Sequence, residues 1–203
     1  MLNAVLAVSY PAAVYFGLLH WSPRLVGCVL LALLLPGLGL RLIGAGRERA
    51  WSVLKLPLAV AALVAACAIS GDARFMFGLP VLINLALLAG FGSSLRGIPM
   101  VERFARLQKA DLSPEQVRYC RSVTWVWCGF FACNAVASAV LALWGGLAAW
   151  SLYTGLIAYV LIGALGGTEY VVRKIRFREY GAGLHDRLLA RLFPPPGGSG
   201  RSV

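Results

Sequence analysis

Histidines, carboxylates and cysteines are the residues from which this sequence could build acid–base catalysis or a metal site. The chain has two histidines, eight carboxylates and five cysteines. His20 and His185 fall on opposite sides of the membrane topology derived below, so they cannot share one site. No D-x-x-D, E-E or C-x-x-C spacing occurs, and no nucleophile stands beside a base and an orienting group. We therefore expect no catalytic centre, no metal site and no cofactor, and we predict that the protein is not an enzyme.

Asn84 and Asn134 are polar side chains near the middle of long apolar stretches. Burial of an amide in hydrocarbon costs free energy unless the amide forms a hydrogen bond. We therefore predict that these two amides, at similar depth on consecutive helices, form an intramembrane polar pair. Two roles stay open for the pair: a structural contact between helices, or the lining of a substrate site. Neither side chain titrates, so we do not expect a proton relay.

The helices that carry these residues follow from the distribution of charge. No charged side chain occurs between Arg121 and Glu169. A stretch of that length suffices for two membrane crossings of about 20 residues each, with a turn at Gly145-Gly146. Shorter apolar blocks precede it. The sequence predicts an all-α membrane protein with about six transmembrane helices, at 2–21, 25–43, 52–71, 75–95, 122–144 and 147–169.

Basic residues indicate the direction of these helices. All but Arg24 and Arg74 of the 19 Lys and Arg residues fall on the side that receives both termini. The positive-inside rule predicts that both termini are cytoplasmic, in a multi-pass protein of the bacterial inner (plasma) membrane. We assign the net charge of +11 to contact with anionic headgroups. Nucleic acid is not an expected partner, because no aromatic-basic nucleic-acid-binding motif accompanies the charge.

The chain divides into two predicted parts. Residues 1–180 form the six-helix transmembrane domain, which includes a cytoplasmic loop at 96–121. Residues 181–203 form a short amphipathic helix and a disordered cytoplasmic tail, because the last residues are rich in Pro, Gly and Ser.

The cytoplasmic loop has a helical pattern of its own. Apolar residues recur at helical spacing opposite basic ones, which predicts an amphipathic helix on the membrane surface. The apolar face consists of Met100, Val101, Phe104 and Leu107. The candidate contacts with a partner or a lipid headgroup are Arg103, Phe104, Arg106, Leu107 and Lys109.

Two further signals mark the ends of the last helices. Ser113 and Gln116 have the spacing of a capping box, so we predict that the fifth transmembrane helix begins in the cytosol. Glu169 and Arg173 are four residues apart on the last helix, and we predict that they form an ion pair where the chain leaves the membrane.

Most of the chain resembles in layout the intracellular septation protein A family of small bacterial inner-membrane proteins. The resemblance lies in Val81–Gly90, Pro99–Phe104 and Trp125–Asn134. The segment Glu169–Arg178 resembles small membrane proteins encoded in aryl-polyene or xanthomonadin-type pigment clusters. Some members of that group are labelled ketosynthases. That label is inconsistent with this sequence, because a ketosynthase needs a catalytic cysteine and two histidines in a soluble thiolase-like fold.

The resemblance implies an integral inner-membrane accessory protein of envelope or polyene-lipid and pigment biogenesis. We expect a non-catalytic scaffold or a holder of a lipid intermediate. The alternative is a small transporter or lipid flippase in which Asn84 and Asn134 line a cavity between kinked helices. The expected partners are the phospholipid membrane and an acyl carrier protein or another biosynthetic or envelope protein.

Overall fold

The computed structural model describes residues 14–32, 47–109 and 111–178, and these residues are helical with no strand among them. The tail predicted for 181–203 and most of the first predicted span lie outside these ranges. The helices are α1 (14–20), α2 (Pro23–Ala32), α3 (Arg47–Ser70), α4 (Arg74–Phe77), α5 (Leu79–Ser94), α6 (Met100–Gln108), α7 (Pro114–Val140), α8 (Gly146–Leu152) and α9 (Ala158–Phe177), with π-helical turns at Leu141–Gly145 and Tyr153–Ile157.

Two stretches of the described chain are long and apolar enough to cross a membrane. They are Arg74–Ser94 and the continuous helical run Pro114–Phe177. Shorter apolar helices occur at Pro23–Ala32, which overlaps the start of the second predicted span, and at Pro57–Ser70, within the third. The rest of the second predicted span lies outside the described residues. The all-helical class predicted from the sequence is therefore confirmed for these residues.

The run Pro114–Phe177 folds back on itself as an antiparallel hairpin. Gly146 has φ 70° and ψ 169°, a backbone conformation that is open in practice only to glycine. On either side of this turn, Asn134 contacts Tyr153 and Tyr119 contacts Glu169. The residue nearer the turn on the first arm contacts the residue nearer the turn on the second, and the residue farther from the turn contacts the farther one. This pattern is expected for two antiparallel arms joined by one turn.

The predicted start of the long helix is confirmed by its cap. The Ser113 hydroxyl accepts a hydrogen bond from the Gln116 backbone N–H at 3.2 Å, and Gln116 Oε1 accepts from the Ser113 N–H at 2.9 Å. This reciprocal pair satisfies two N–H groups that the first helical turn would otherwise leave without partners. It fixes the point at which α7 begins.

The loop between α5 and α6 is held against α7 by one arginine. Arg121 Nη1 donates to the Leu95 carbonyl at 2.7 Å, and its Nη2 donates to the Gly97 carbonyl at 3.2 Å. These carbonyls lie just after the last turn of α5, where no intrahelical donor remains for them. Ser94 Oγ accepts from the Met100 N–H at 2.9 Å, so the start of α6 is also fixed.

A buried cluster joins the turn of the hairpin to the first helices. Trp150 packs on Phe77 with ring centroids 4.7 Å apart, and its Nε1–H donates to the Phe77 carbonyl at 3.2 Å. Val14, Val26, Cys67 and Met76 complete the cluster. We call this the turn end of the molecule. The opposite end, where α7 begins and α9 finishes, is called the charged end because Glu115, Arg173 and Arg176 lie there.

Candidate functional site

A three-residue polar network lies between α5 and the hairpin. Asn134 Nδ2 donates to Asn84 Oδ1 at 3.0 Å, and the Tyr153 hydroxyl donates to Asn134 Oδ1 at 2.7 Å. Asn84 Nδ2 donates to the Pro80 carbonyl at 2.7 Å. The structure thus brings the two predicted asparagines together and adds a tyrosine. Each of the two amides therefore has a hydrogen-bond partner on both its oxygen and its nitrogen.

Tyr153 was missed by the sequence reasoning. It is an aromatic residue within an uncharged stretch, where it is most simply interpreted as apolar packing. A signal was present nevertheless, because a tyrosine hydroxyl within an apolar layer needs a hydrogen-bond partner. The antiparallel hairpin supplies one by bringing Tyr153 across from Asn134.

An apolar cavity of about 330 Å³ lies beside this network. Asn84, Asn134, Ser138 and Thr154 are the small polar residues in its lining, among apolar residues that include Ile83, Leu87 and Phe131. Thr154 Oγ1 donates to the Trp150 carbonyl at 2.8 Å. Ser138 is 1% exposed, and its hydroxyl has no hydrogen-bond partner among the described residues. An unpaired hydroxyl in such a place costs free energy unless a ligand bonds to it.

A second, more open groove also borders Asn134. Its lining includes Cys133, Asn134, Tyr153 and Thr168. Asn134 therefore lines both the cavity and this groove.

Two ion pairs lie at the charged end, one within α9 and one between α7 and α9. Arg173 Nε lies 3.4 Å from Glu169 Oε1, the pair predicted from their spacing, and Arg176 Nη2 lies 3.1 Å from Glu115 Oε1. Glu169 Oε1 makes no hydrogen bond with the described residues, so its contact with Arg173 is one between charges. The Glu115–Arg176 pair is exposed and connects α7 with α9, where it contributes little free energy.

The candidate contact residues of the cytoplasmic loop all lie on α6 or at its end, and all five are exposed. Leu107 is 83% exposed, and Phe104 stands one turn before it on the same face. Arg106 is bound to Glu102 at 2.7 Å, and Glu102 is buried. Glu102 and Ala105 form the side of α6 that is buried. The sequence reasoning did not assign a buried role to Glu102.

Histidine, carboxylate and cysteine side chains are the other groups that could bind a metal or react. Among residues 14–32, 47–109 and 111–178, no group of three or more His, Cys, Asp or Glu side chains is placed to hold a metal ion. Cys28, Cys67, Cys120, Cys128 and Cys133 are free thiols. The candidate site is consequently the polar network with its adjacent cavity.

No protein-family model, curated protein or solved structure matches this chain. The network of Asn84, Asn134 and Tyr153 and the unpaired Ser138 hydroxyl are the observations that bear on its function most directly.

Proposed function

We propose that this chain is a six-helix protein of the bacterial inner membrane with both termini in the cytoplasm. The surface of the two long apolar stretches supports this proposal. In the most apolar window of each, only 22% and 28% of the residues are buried inside the protein. Helices from the core of a soluble protein would be mostly buried. Exposure of this much apolar surface to water would be unfavourable, and the lipid of a membrane would cover it.

The membrane proposal is tested by reporter fusions. Fusions after residue 48, residue 110 and residue 190 are expected to report a cytoplasmic location, because the basic residues cluster on that side. Fusions next to Asp72 and Gly146 are expected to report a periplasmic location. A periplasmic signal from the fusion after residue 190 would contradict the six-helix topology.

Within the membrane, we propose that the protein holds a lipid or lipid-linked intermediate and does not catalyse a reaction. The observation that carries this proposal is the unpaired Ser138 hydroxyl in the lining of an apolar cavity. An apolar chain would fill the cavity, and a carbonyl or hydroxyl on that chain would supply the missing hydrogen bond. The resemblance to proteins of aryl-polyene clusters makes a polyene lipid of envelope or pigment biogenesis the first ligand to test.

The test is the replacement of Ser138 by alanine. We expect the unfolding free energy of the unliganded protein to stay constant or to rise, because the change removes a buried hydroxyl that has no partner. We expect retention of the co-purified lipid, measured by mass spectrometry, to fall about tenfold, since a hydrogen bond in the cavity is lost.

Ser122→Ala is the matched control on the same helix, because Ser122 is exposed and its hydroxyl donates to the Arg118 carbonyl. It should change neither quantity. Equal lipid retention by Ser138→Ala and the unaltered protein would contradict the holder proposal. A clear loss of stability would mean that Ser138 has a structural partner.

The second candidate function is a small transporter or lipid flippase. The groove favours it, because Asn134 lines both the groove and the cavity, as a gating residue would. Proteoliposomes with a fluorescent lipid separate the two functions: a holder leaves the lipid in its leaflet, whereas a flippase moves it across.

The exposed residues of α6 complete the proposal. Phe104 and Leu107 would enter the headgroup region of the cytoplasmic leaflet, with Arg103 and Lys109 beside anionic lipids. An acyl carrier protein or another biosynthetic or envelope protein is the rival occupant of this surface. Such a protein would compete with the membrane for the same side chains.

A further inference from the structure

The apolar cavity of the candidate site is elongated along the helices that line it. On α5 its lining extends from Pro80 to Leu87, which corresponds to a rise of about 10 Å. Ser138 and Thr154 border the part of the cavity nearest the hairpin turn, whereas the lining farthest from that turn is apolar. The hydroxyl groups of the lining therefore lie towards the turn end of the molecule.

The cavity has a buried back wall and an exposed edge. The lining residues on α7, which include Phe131 and Ser138, are buried, so α7 forms the back wall. Ile83 and Leu87 on α5 and Ile162 on α9 are 36% to 43% exposed. These three apolar side chains flank an opening between α5 and α9. In the membrane proposed above, this opening faces hydrocarbon, so a lipid chain can enter it from the side.

None of the described residues that border the cavity is charged. An ionised carboxylate or phosphate in this cavity would lose its water without gaining a counter-ion, and that costs free energy. A phospholipid headgroup and an ionised fatty acid are therefore excluded as the buried part of the ligand. The buried part is a neutral group.

The hydrogen-bonding capacity left in the cavity matches an alcohol. Ser138 Oγ has no partner among the described residues, so it is free to donate. Thr154 is 5% exposed and donates to the Trp150 carbonyl, which leaves the lone pairs of its oxygen to accept. A ligand hydroxyl can accept from Ser138 and donate to Thr154, whereas a carbonyl or an ether can only accept.

We propose that the cavity binds the hydroxyl end of a neutral long-chain alcohol, which enters between α5 and α9. The hydroxyl lies at Ser138 and Thr154, and the chain runs past Leu87 and Ile162 towards the charged end and out into the lipid. This inference rests on the holder function proposed above and names the class of lipid that is held. It also gives the direction of binding, since the unpaired hydroxyl lies towards the turn end.

Two photoreactive alcohols test the direction of binding. One carries a diazirine next to the hydroxyl and the other carries it at the far end of the chain, and each is added to the full chain in lipid nanodiscs. Peptide mass spectrometry is expected to find the first label near Ser138 and Thr154, and the second near Leu87 and Ile162. The reverse pattern, equal patterns or no labelling would overturn the proposal.

Competition against the first probe tests the need for a hydroxyl. Dodecanol is expected to compete about tenfold better than its methyl ether, since the ether leaves one hydrogen bond unmade. Dodecanoate at neutral pH should compete more weakly still, because it is charged. Equal competition by dodecanol and either of the other two compounds would rule out an alcohol site.

Thr154→Val removes the acceptor and should abolish the preference for dodecanol over its ether. The matched control is Thr168→Val, because Thr168 is an exposed threonine of the same arm that does not border the cavity. This control should keep the tenfold preference. The ether should compete equally well in both variants, which shows that the cavity is intact. A preference that survives Thr154→Val would contradict the assigned acceptor.

Ile162→Trp tests the opening. A large side chain at this exposed edge should narrow the entrance and slow labelling about fivefold with little loss of stability, because the position is outside the core. Val160→Trp is the matched control, since Val160 is 59% exposed on the same helix and does not border the cavity. It should leave the labelling rate unchanged. Equal rates in the two variants would overturn the proposed route of entry.

Failure of this inference differs from failure of the holder function. If Ser138→Ala retains its co-purified lipid, the holder function is contradicted and the alcohol site falls with it. If Ser138→Ala loses the lipid while the ether competes as well as dodecanol, the holder function stands and the assignment of an alcohol is wrong.

Discussion

Trp150→Ala is expected to lower the unfolding free energy by about 3 kcal/mol, measured by denaturant titration in mixed micelles. Trp150 is 0% exposed, packs on Phe77, and donates its indole N–H to the Phe77 carbonyl. The change would leave a large cavity in the cluster that joins the hairpin turn to the first helices. We expect the lower end of the usual range for a buried tryptophan, because the contribution from transfer out of water is smaller in lipid, the environment proposed above.

Trp144→Ala is the matched control for this prediction. Trp144 lies on the same hairpin close to the turn but is 77% exposed, so its removal should change the unfolding free energy by less than about 0.5 kcal/mol. Trp150→Phe keeps an aromatic ring against Phe77 and removes the N–H donor, so it should fall between the two. Equal effects of Trp150→Ala and Trp144→Ala would show that the turn end is not packed as described.

The second large effect is expected at Asn134. Replacement of Asn134 by leucine leaves the Tyr153 hydroxyl and Asn84 Oδ1 without their partners, so we expect a loss of about 2 kcal/mol. Asn84→Leu removes one acceptor from Asn134 and is expected to cost about 1 kcal/mol. The double variant should cost less than the sum, because both single changes remove the same hydrogen bond.

Tyr153→Phe is a third variant for this test. It removes only the hydroxyl, so its cost should largely disappear when Asn134 is already leucine. Additive losses for Asn84 and Asn134 would mean that the two amides do not interact. Singly altered proteins with full stability and no lipid retention would assign the network to the ligand and not to helix packing.

Local patterns allowed α6, its amphipathic character and the cap at Ser113 to be predicted from the sequence. Each depends on residues within about one helical turn of each other, for which spacing alone is informative. The helical class followed from composition in the same way. The pairing of Asn84 with Asn134 required one further argument, that two costly amides at similar depth on consecutive helices tend to meet.

A cavity at the charged end, between α6, α7 and α9, could not be predicted, because its lining comes from separate stretches of the chain. Whether Lys174 faces Gln116 depends on the crossing and rotation of helices, and periodicity within one helix does not contain that information. Glu102 was missed for a related reason. A carboxylate is normally assigned to the solvent side, and its burial depends on Arg106 one turn later.

The π-helical turn at Tyr153–Ile157 changes which side of the returning arm each later side chain faces. Between Tyr119 and Asn134 a regular α-helix makes several complete turns plus a rotation of about 60°. Both side chains therefore lie on one side of α7. From Tyr153 to Glu169 a regular α-helix would add about 160° and place these two on opposite sides of its arm.

A π turn accommodates one extra residue, which subtracts about 100° and leaves about 60°. Tyr153 and Glu169 then lie on one side of the returning arm, so both can contact their partners on α7. A hairpin without that extra residue could form the Asn134–Tyr153 contact or the Tyr119–Glu169 contact, but not both at once.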